Sequence, residues 1–283
     1  MGYYASPAGQ EVLSPHKRYT PQGRGAMEFA DYVQKISFRL LKPSMPRPSG
    51  FRALNNLARK AGFHLEMWMT RLPEEQEAMQ TRLADACKVP RMSTFAIGAI
   101  INRAVAHLPA NQAYLNIGVW NGFTLLTGMA GNAEKKCIGV DNFSHKNAPR
   151  RAFLRRFEKA RGPAHAFHEA DFRDYLSNQH KEPLGLYLFD GPHTYEDQLD
   201  GLTLAEPFFA RGCLVLVDDT NWPQVREANL DFIKKSPFEY RMLLDVQTPR
   251  TGHPTFWNGL MLFERGKRKA AGAAIPRPER IAA

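Results

Sequence analysis

Short apolar runs alternate with amphipathic stretches from Ser93 onward. Seven runs have the length and composition of β-strands: Ala113–Gly118, Lys136–Asp141, Ala164–Glu169, Leu184–Asp190, Cys213–Asp218, Tyr240–Val246 and Trp257–Phe263. Helical patterns separate the first six runs, which predicts a parallel sheet with helices on both faces. The last two runs are joined by residues 247–256, too few for a helical crossover, so we expect an antiparallel hairpin at the sheet edge. The pattern predicts a doubly wound α/β fold with a mostly parallel, seven-stranded sheet.

The chain before and after this pattern differs in character. Residues 27–92 contain helical periodicity in pieces and predict a helical extension that covers the main domain of residues 93–265. Residues 1–26 and 266–283 have no apolar period, and we expect them to be disordered basic tails. With 283 residues and 43% hydrophobic composition, the chain can bury one sizeable core.

The positive charge is concentrated at the ends of the chain. The net charge is +10, of which residues 1–60 contribute +7 and residues 265–283 contribute +5, leaving the middle slightly negative. A basic catalytic face is therefore not indicated. Basic segments at the ends of a chain are most often solvated tails. RNA binding through these flanks stays open as a minor alternative.

The number of cysteines and the length of the apolar segments indicate where in the cell the protein is expected. Three cysteines are too few for a disulfide framework, which favours a reducing environment. No segment reaches the roughly 18 consecutive apolar residues that span a bilayer, and the first residues lack the pattern of a leader. We expect a cytoplasmic protein without a membrane partner, in which the helical extension can also serve as a contact between copies of the chain.

Two predicted strands end on carboxylates. The apolar run from Leu184 ends in Asp190-Gly-Pro-His193, and the run from Cys213 ends in Asp218-Asp219. In an open α/β sheet, ligands bind beyond the carboxyl ends of the strands, so these side chains are expected to share one crevice. Carboxylate oxygens suit Mg²⁺, and an imidazole beside them suits proton removal near neutral pH.

A glycine-bearing turn follows the first predicted strand, in Tyr114-Leu-Asn116-Ile-Gly118-Val-Trp-Asn-Gly122. The dinucleotide fingerprint G-x-G-x-x-G is absent, because Trp120 stands where its second glycine would be, and this disfavours a nicotinamide cofactor. The second predicted strand ends on Asp141, at a place where a carboxylate accepts both hydroxyls of a ribose. These residues predict a nucleoside ligand without a pyrophosphate.

In these segments the chain resembles the class I S-adenosylmethionine-dependent methyltransferases. The turn at 114–124 is similar to their first motif, and Ile138-Gly-Val-Asp141-Asn-Phe-Ser144 is similar to their ribose-binding strand end. Asp190-Gly-Pro-His193-Thr-Tyr-Glu and Val-Asp218-Asp219-Thr resemble the metal-dependent O-methyltransferases of the macrolide-sugar and catechol type, a methyltransferase-24-like subgroup. The resemblance spans roughly residues 93–263 and implies a Rossmann-like methyltransferase fold.

The resemblance implies roles for individual residues. S-adenosylmethionine would be held by Asn116, Gly118, Gly122, Asp141, Asn142, Phe143, Asp171 and Asp190. Asn116 replaces the acid usual in the first motif; its amide oxygen can accept a hydrogen bond from the methionine ammonium but offers no opposing charge.

The same resemblance implies a metal and a base at the methyl-transfer site. Asp190, Asp218 and Asp219 would bind Mg²⁺ or another divalent cation, and Asp190 with His193 would form the catalytic pair. His193 would remove the proton of a hydroxylated small-molecule acceptor. In the loop between the last two strands, Arg250, His253 and Trp257 are candidates for acceptor contact.

Besides RNA binding through the flanks, two alternatives remain at the level of sequence. A methyltransferase acting on nitrogen or oxygen without a metal would use the carboxylates only to position its acceptor. A protein that binds S-adenosylmethionine without turnover would account for Asn116. The function we expect is a metal-dependent O-methyltransferase, because three strand-end carboxylates are predicted at one edge of the sheet.

Overall fold

The computed structural model describes residues 27–145 and 147–270, so the predicted tail of residues 1–26 lies outside the described residues. The described N-terminal part contains four α-helices, a 3₁₀ helix at Ala86–Lys88 and two short strands paired antiparallel. These α-helices and strands are α1 Phe29–Lys35, β1 Ser37–Phe38, α2 Phe51–Lys60, α3 Leu65–Met69, β2 Thr70–Arg71 and α4 Gln76–Leu83. None of the described helices is both long enough and apolar enough to cross a bilayer.

The main domain begins with α5 (Phe95–Ala106), whose first turn is capped by the Thr94 hydroxyl, which accepts a hydrogen bond from the Ile97 N–H. The elements that follow are β3 Ala113–Ile117, α6 Phe123–Met129, β4 Lys136–Val140, α7 Arg150–Ala160, β5 His165–His168, α8 Phe172–Asp174, β6 Leu184–Phe189, α9 Tyr195–Ala205, β7 Phe209–Asp218, α10 Pro223–Lys235, β8 Phe238–Val246 and β9 Leu260–Arg268.

Seven strands form one sheet in the order β5-β4-β3-β6-β7-β9-β8. The first five are mutually parallel, whereas β9 runs antiparallel to both β7 and β8. This confirms the predicted fold class and the antiparallel hairpin at the edge. The strand order reverses at β3, which has β4 on one side and β6 on the other, and a ligand crevice forms at such a switch point.

The last strand differs from its predicted bounds. It begins at Leu260 rather than Trp257 and continues to Arg268, which pairs with Phe238. The segment 266–268, expected in the C-terminal tail, therefore lies in the sheet, and only residues 271–283 of that tail lie outside the described part. Trp257 has φ +47° and belongs to the turn before the strand, because backbone in that conformation cannot continue a strand.

Apolar side chains cover both faces of the sheet. In β6, Leu186 and Leu188 pack on one face and Tyr187 and Phe189 on the other, as the two-residue period of a strand requires. Side chains of α1 and α4, including Tyr32, join the core of the first face. The helical extension therefore shares the core of the main domain, and the buried cysteines Cys87, Cys137 and Cys213 are free thiols.

Candidate active site

A cavity of about 470 Å³ opens beyond the carboxyl ends of β3, β4, β6 and β7. This is the size of a small-molecule site and the position expected from the strand order. Its walls are Met92, Ile117, Gly118, Trp120, Val140, Asp141, Asn142, Ser144, His145, Ala148, Ala170, Asp171, Phe172, Asp190, Gly191, Pro192, His193, Asp218, Asp219, Trp222, Thr251 and Trp257.

The turn after β3 approaches the end of β6 closely. Gly118 has φ +79°, and a β carbon there would collide with the carbonyl oxygen of Asp190. The Asp141 carboxylate, at the end of β4, accepts hydrogen bonds from the N–H groups of Val119 and Trp120, both at 2.9 Å, and from Phe143 N–H at 2.7 Å. Asp141 therefore fixes the turn while lining the cavity.

Ligand atoms of Asp190, His193 and Asp219 lie within 4.8 Å of one another. Nε2 of His193 is 3.1 Å from Oδ2 of Asp219, and the edge of the Trp222 indole packs against the imidazole at a centroid distance of 4.4 Å. Asp218 lines the cavity and accepts a hydrogen bond from the Asp219 N–H, but its carboxylate is not in this group. Two of the three predicted metal ligands therefore converge, together with the predicted base.

The carboxylates at the ends of β6 and β7 lie close to one another, and the pKa values of Asp190 and Asp218 are raised. Burial raises the pKa of Asp190 well above its ordinary value, and the neighbouring Asp218, Asp219 and Asp141 raise it further. The pKa of Asp218 is also raised well above its ordinary value, mainly by burial and further by the charge of Asp219. Among the described residues, no lysine or arginine forms an ion pair with Asp190, Asp218 or Asp219. A divalent cation fits this donor set, because it would offset the repulsion that favours the protonated forms of Asp190 and Asp218.

The imidazole of His193 has the opposite shift. Burial lowers its pKa, and the nearby Asp219 carboxylate partly counteracts that effect. The side chain is therefore neutral near pH 7, which is the protonation state that a general base requires.

The far wall of the cavity carries Asn142, Asp171 and Phe172. Asp171 accepts a hydrogen bond from Arg173 N–H at 2.9 Å and so caps α8, and its second oxygen lies 3.5 Å from the Asn142 amide. Its carboxylate caps a helix and also lines the cavity, where the sequence predicts a contact with the cofactor.

Three predicted cofactor residues do not line the cavity. Asn116 is fully buried, and its amide oxygen accepts hydrogen bonds from the hydroxyls of Thr124 and Tyr114. Gly122 precedes α6 with φ +95°, where a β carbon would lie 2.8 Å from the Phe153 ring. Phe143 packs against the rings of Phe153 and Phe167, each at 5.8 Å. All three shape the turn and the core behind it.

Several cavity residues have no counterpart among the predicted site residues: Met92, Trp120, His145, Trp222 and Thr251. Of the three loop candidates, Trp257 lines the cavity and Arg250 lines an adjoining depression. His253 is fully buried and does not reach either, because its ring nitrogens contact the Met45 carbonyl at 2.9 Å and the Thr255 hydroxyl at 2.7 Å. Trp120 was detectable in the sequence, since it replaces a glycine inside the cofactor turn.

Residues 115–220 match a family model described as a methyltransferase domain. No curated protein sequence matches the chain.

Solved structures share the fold. Rv0187 from MTB, determined with its cofactor bound, is 14% identical over 78% of this chain and 98% of its own, with a TM-score of 0.50. CalS11, a TDP-rhamnose 3'-O-methyltransferase of calicheamicin biosynthesis, is 18% identical over 78% of this chain and 96% of its own, also at 0.50. A protein from Corynebacterium glutamicum is 14% identical over 78% and 99%, again at 0.50. Residues 115–220 therefore lie in a methyltransferase domain, and the order of the strands gives it a Rossmann-like α/β fold.

Proposed function

We propose that the protein transfers a methyl group from S-adenosylmethionine to a hydroxyl oxygen of a small molecule, with the help of a divalent cation such as Mg²⁺. The observation that carries this proposal is the convergence of Asp190, His193 and Asp219 within 4.8 Å in the wall of the cavity. Two hard oxygen donors beside a neutral imidazole combine a cation site with a proton acceptor.

The cofactor would occupy the part of the cavity between Gly118 and Asp171. The Asp141 carboxylate has lone pairs left after its three backbone hydrogen bonds and can accept the ribose hydroxyls. Asp171 can accept a hydrogen bond from the adenine amine, with Asn142 beside it and Phe172 against the ring. Gly118 lets the backbone of the turn lie close to the ligand.

Asp190 and Asp219 would hold the cation, with Asp218 in the cavity wall beside them. When bound, the cation lowers the pKa of the acceptor hydroxyl and S-adenosylmethionine supplies the methyl group. The residues themselves orient the acceptor oxygen. The rings of Trp120, Trp222 and Trp257 give the cavity apolar walls, which suit an acceptor whose hydroxyl is attached to a ring.

His193 would take the proton of the acceptor hydroxyl. Its Nε2 faces the Asp219 carboxylate at 3.1 Å, which favours the tautomer with the proton on Nε2 and leaves Nδ1 as the proton acceptor. The same carboxylate stabilises the imidazolium that forms. The methyl group of the sulfonium would pass to the deprotonated oxygen, the carbon–sulfur bond would break, and S-adenosylhomocysteine would be the second product.

Turnover in the presence and absence of chelator tests the proposal. We expect S-adenosylhomocysteine to form with a hydroxylated acceptor in Mg²⁺, to cease in EDTA and to return when Mg²⁺ is restored. Undiminished turnover in EDTA would support the metal-independent alternative. Binding of S-adenosylmethionine with no product across a broad acceptor panel would contradict an enzymatic role for the cavity.

The variant Asp190→Asn tests the proposed cation site by mutation. It removes one cation ligand at nearly constant volume, and we expect transfer to fall by about 100-fold or more while cofactor affinity stays within a few fold. Asp174→Asn changes an exposed carboxylate outside the cavity and should leave both unchanged. Full activity of Asp190→Asn would show that Asp190 has no role in the active site.

A further inference from the structure

Asn258 contacts the proposed cation site from outside the cavity. The residue follows Trp257 in the turn before β9 and is 1% exposed. Its amide nitrogen donates a hydrogen bond to Oδ1 of Asp219 at 2.6 Å. Its amide oxygen accepts hydrogen bonds from the Thr251 hydroxyl at 2.8 Å and from the Asn221 amide at 3.2 Å. The side-chain amide nitrogen of Asn258 therefore donates its hydrogen bond to one carboxylate oxygen of Asp219.

Asp219 depends on its neighbours for its orientation. Its backbone has φ +59°, a conformation that non-glycine residues seldom adopt, at the point where β7 ends. Asn258 holds Oδ1 of the carboxylate, and His193 faces Oδ2 at 3.1 Å. These two contacts set the rotation of the carboxylate plane. A carboxylate binds a cation best when its free lone pairs point toward the cation. The orientation of the Asp219 carboxylate plane therefore affects the affinity of the site for the cation.

Thr251 connects this contact to the acceptor part of the cavity. Its side chain belongs to the β8–β9 loop and lines the cavity, while its hydroxyl holds the Asn258 amide oxygen. The resulting chain of hydrogen bonds runs from a cavity wall, through Asn258, to a proposed cation ligand. No other described side chain donates a hydrogen bond to Oδ1 of Asp219.

We propose that Asn258 is a positioning residue: it orients the Asp219 carboxylate for cation binding and links that orientation to the acceptor-facing loop through Thr251. The inference rests on the proposed function, because it requires the cation site. Asn221 does not hydrogen-bond Asp219 through its side chain; its amide donates to the carbonyl and the hydroxyl of Thr248 as well as to Asn258, and so holds the loop. Removing a side chain that hydrogen-bonds a metal ligand typically lowers the affinity for the metal by about 10- to 100-fold.

Direct cation binding tests the inference without an acceptor. Mn²⁺, a spectroscopic substitute for Mg²⁺, is titrated into the full-length wild type and Asn258→Ala, and free Mn²⁺ is followed by electron paramagnetic resonance. We expect Asn258→Ala to bind Mn²⁺ about 10- to 100-fold more weakly, with an unchanged affinity for S-adenosylhomocysteine. Asn229→Ala is the matched control, because it removes another fully buried asparagine amide away from the cavity; its Mn²⁺ affinity should equal that of the wild type.

The outcomes separate this inference from the proposed function. If the wild type binds Mn²⁺ and Asn258→Ala binds it within twofold of the same affinity, the positioning role is wrong while the cation site stands. If the wild type does not bind Mn²⁺ at all, the proposed cation site and this inference are both wrong. Should Asn258→Ala fail to fold, Thr251→Val removes only the hydroxyl that holds the amide; a smaller loss of Mn²⁺ affinity supports the role, and wild-type affinity overturns it.

Discussion

At the scale of single residues, one carboxylate does two tasks at the cofactor end of the cavity. Asp141 accepts three backbone hydrogen bonds that shape the glycine turn and also faces the space assigned to the ribose. A mutation there would remove the proposed ribose contact and loosen the turn that carries Gly118. Both effects act on the cofactor rather than on the cation.

Asp141→Ala should weaken binding of S-adenosylhomocysteine by about 10- to 100-fold, because each hydrogen bond to a charged group contributes roughly 1.5 to 3 kcal/mol. Titration calorimetry measures the affinity, with Asp174→Ala as the control for loss of a carboxylate. Unchanged affinity in Asp141→Ala would show that the nucleoside lies elsewhere.

The sequence predicts residues at strand ends better than residues within turns. Asp190 and Asp219 follow long apolar runs directly, so their place at the cavity edge follows from the sheet. Asn116 lies inside β3, where the two-residue period puts it on the same face as Tyr114, beneath α6, and its amide is used there. Phe143 turns toward the core because its backbone has φ +50°, which no local pattern of residues indicates.

At the scale of elements, the close approach of the β3 turn to the end of β6 builds the site. Gly118 permits this approach in two ways, by its left-handed backbone and by its lack of a side chain. Gly50 provides the comparison: its φ is +83°, but a β carbon there would have no atom within 4 Å. The pair separates backbone strain from steric collision.

Gly50→Ala should lower the free energy of unfolding by about 1 to 2 kcal/mol, the strain of a left-handed alanine. Gly118→Ala should lower it by about a further 1 to 3 kcal/mol, because the added methyl displaces the Asp190 backbone. Chemical denaturation measures both. Equal losses in the two variants would contradict the close packing of the turn on β6.

Among the described residues, the side chains of His253, Arg47 and Arg250 form hydrogen bonds between the β8–β9 loop and the N-terminal segment. His253 contacts the Met45 carbonyl, Arg47 donates to the Gly252 carbonyl at 2.7 Å, and Arg250 donates to the Arg47 carbonyl at 3.2 Å. Burial lowers the pKa of His253, and the Arg47 charge lowers it further, while the hydrogen bond to Met45 acts in the opposite direction. The folded protein therefore favours neutral His253.

This shift gives a pH dependence with a definite sign. Below the ordinary histidine pKa of about 6.5, the unfolded chain binds a proton at His253 more readily than the folded chain does, so stability is lost as pH falls. His253→Gln removes this titration. We expect the stability advantage of the wild type over His253→Gln to shrink between pH 7.5 and 5.5, as measured by denaturation at each pH; a constant difference would show that His253 is not held neutral.

At the scale of the whole molecule, the helical extension and the main domain form one core. Tyr32 of α1 packs under the Arg103 guanidinium of α5 at 4.3 Å, and Arg103 pairs with Glu74 at 2.7 Å. The alternating pattern of the sequence predicted the seven-stranded sheet, since each strand is a local apolar run. It did not predict Asn258 beside Asp219, because that contact joins residues 39 positions apart through an irregular loop.

The most direct test of the account is a crystal structure of the protein with S-adenosylhomocysteine and Mg²⁺. We predict the ribose on the Asp141 carboxylate, and the cation on the carboxylates of Asp190 and Asp219 with His193 adjacent to it. A nucleoside bound away from Asp141, or a cation absent from Asp190 and Asp219 at saturating Mg²⁺, would contradict the account.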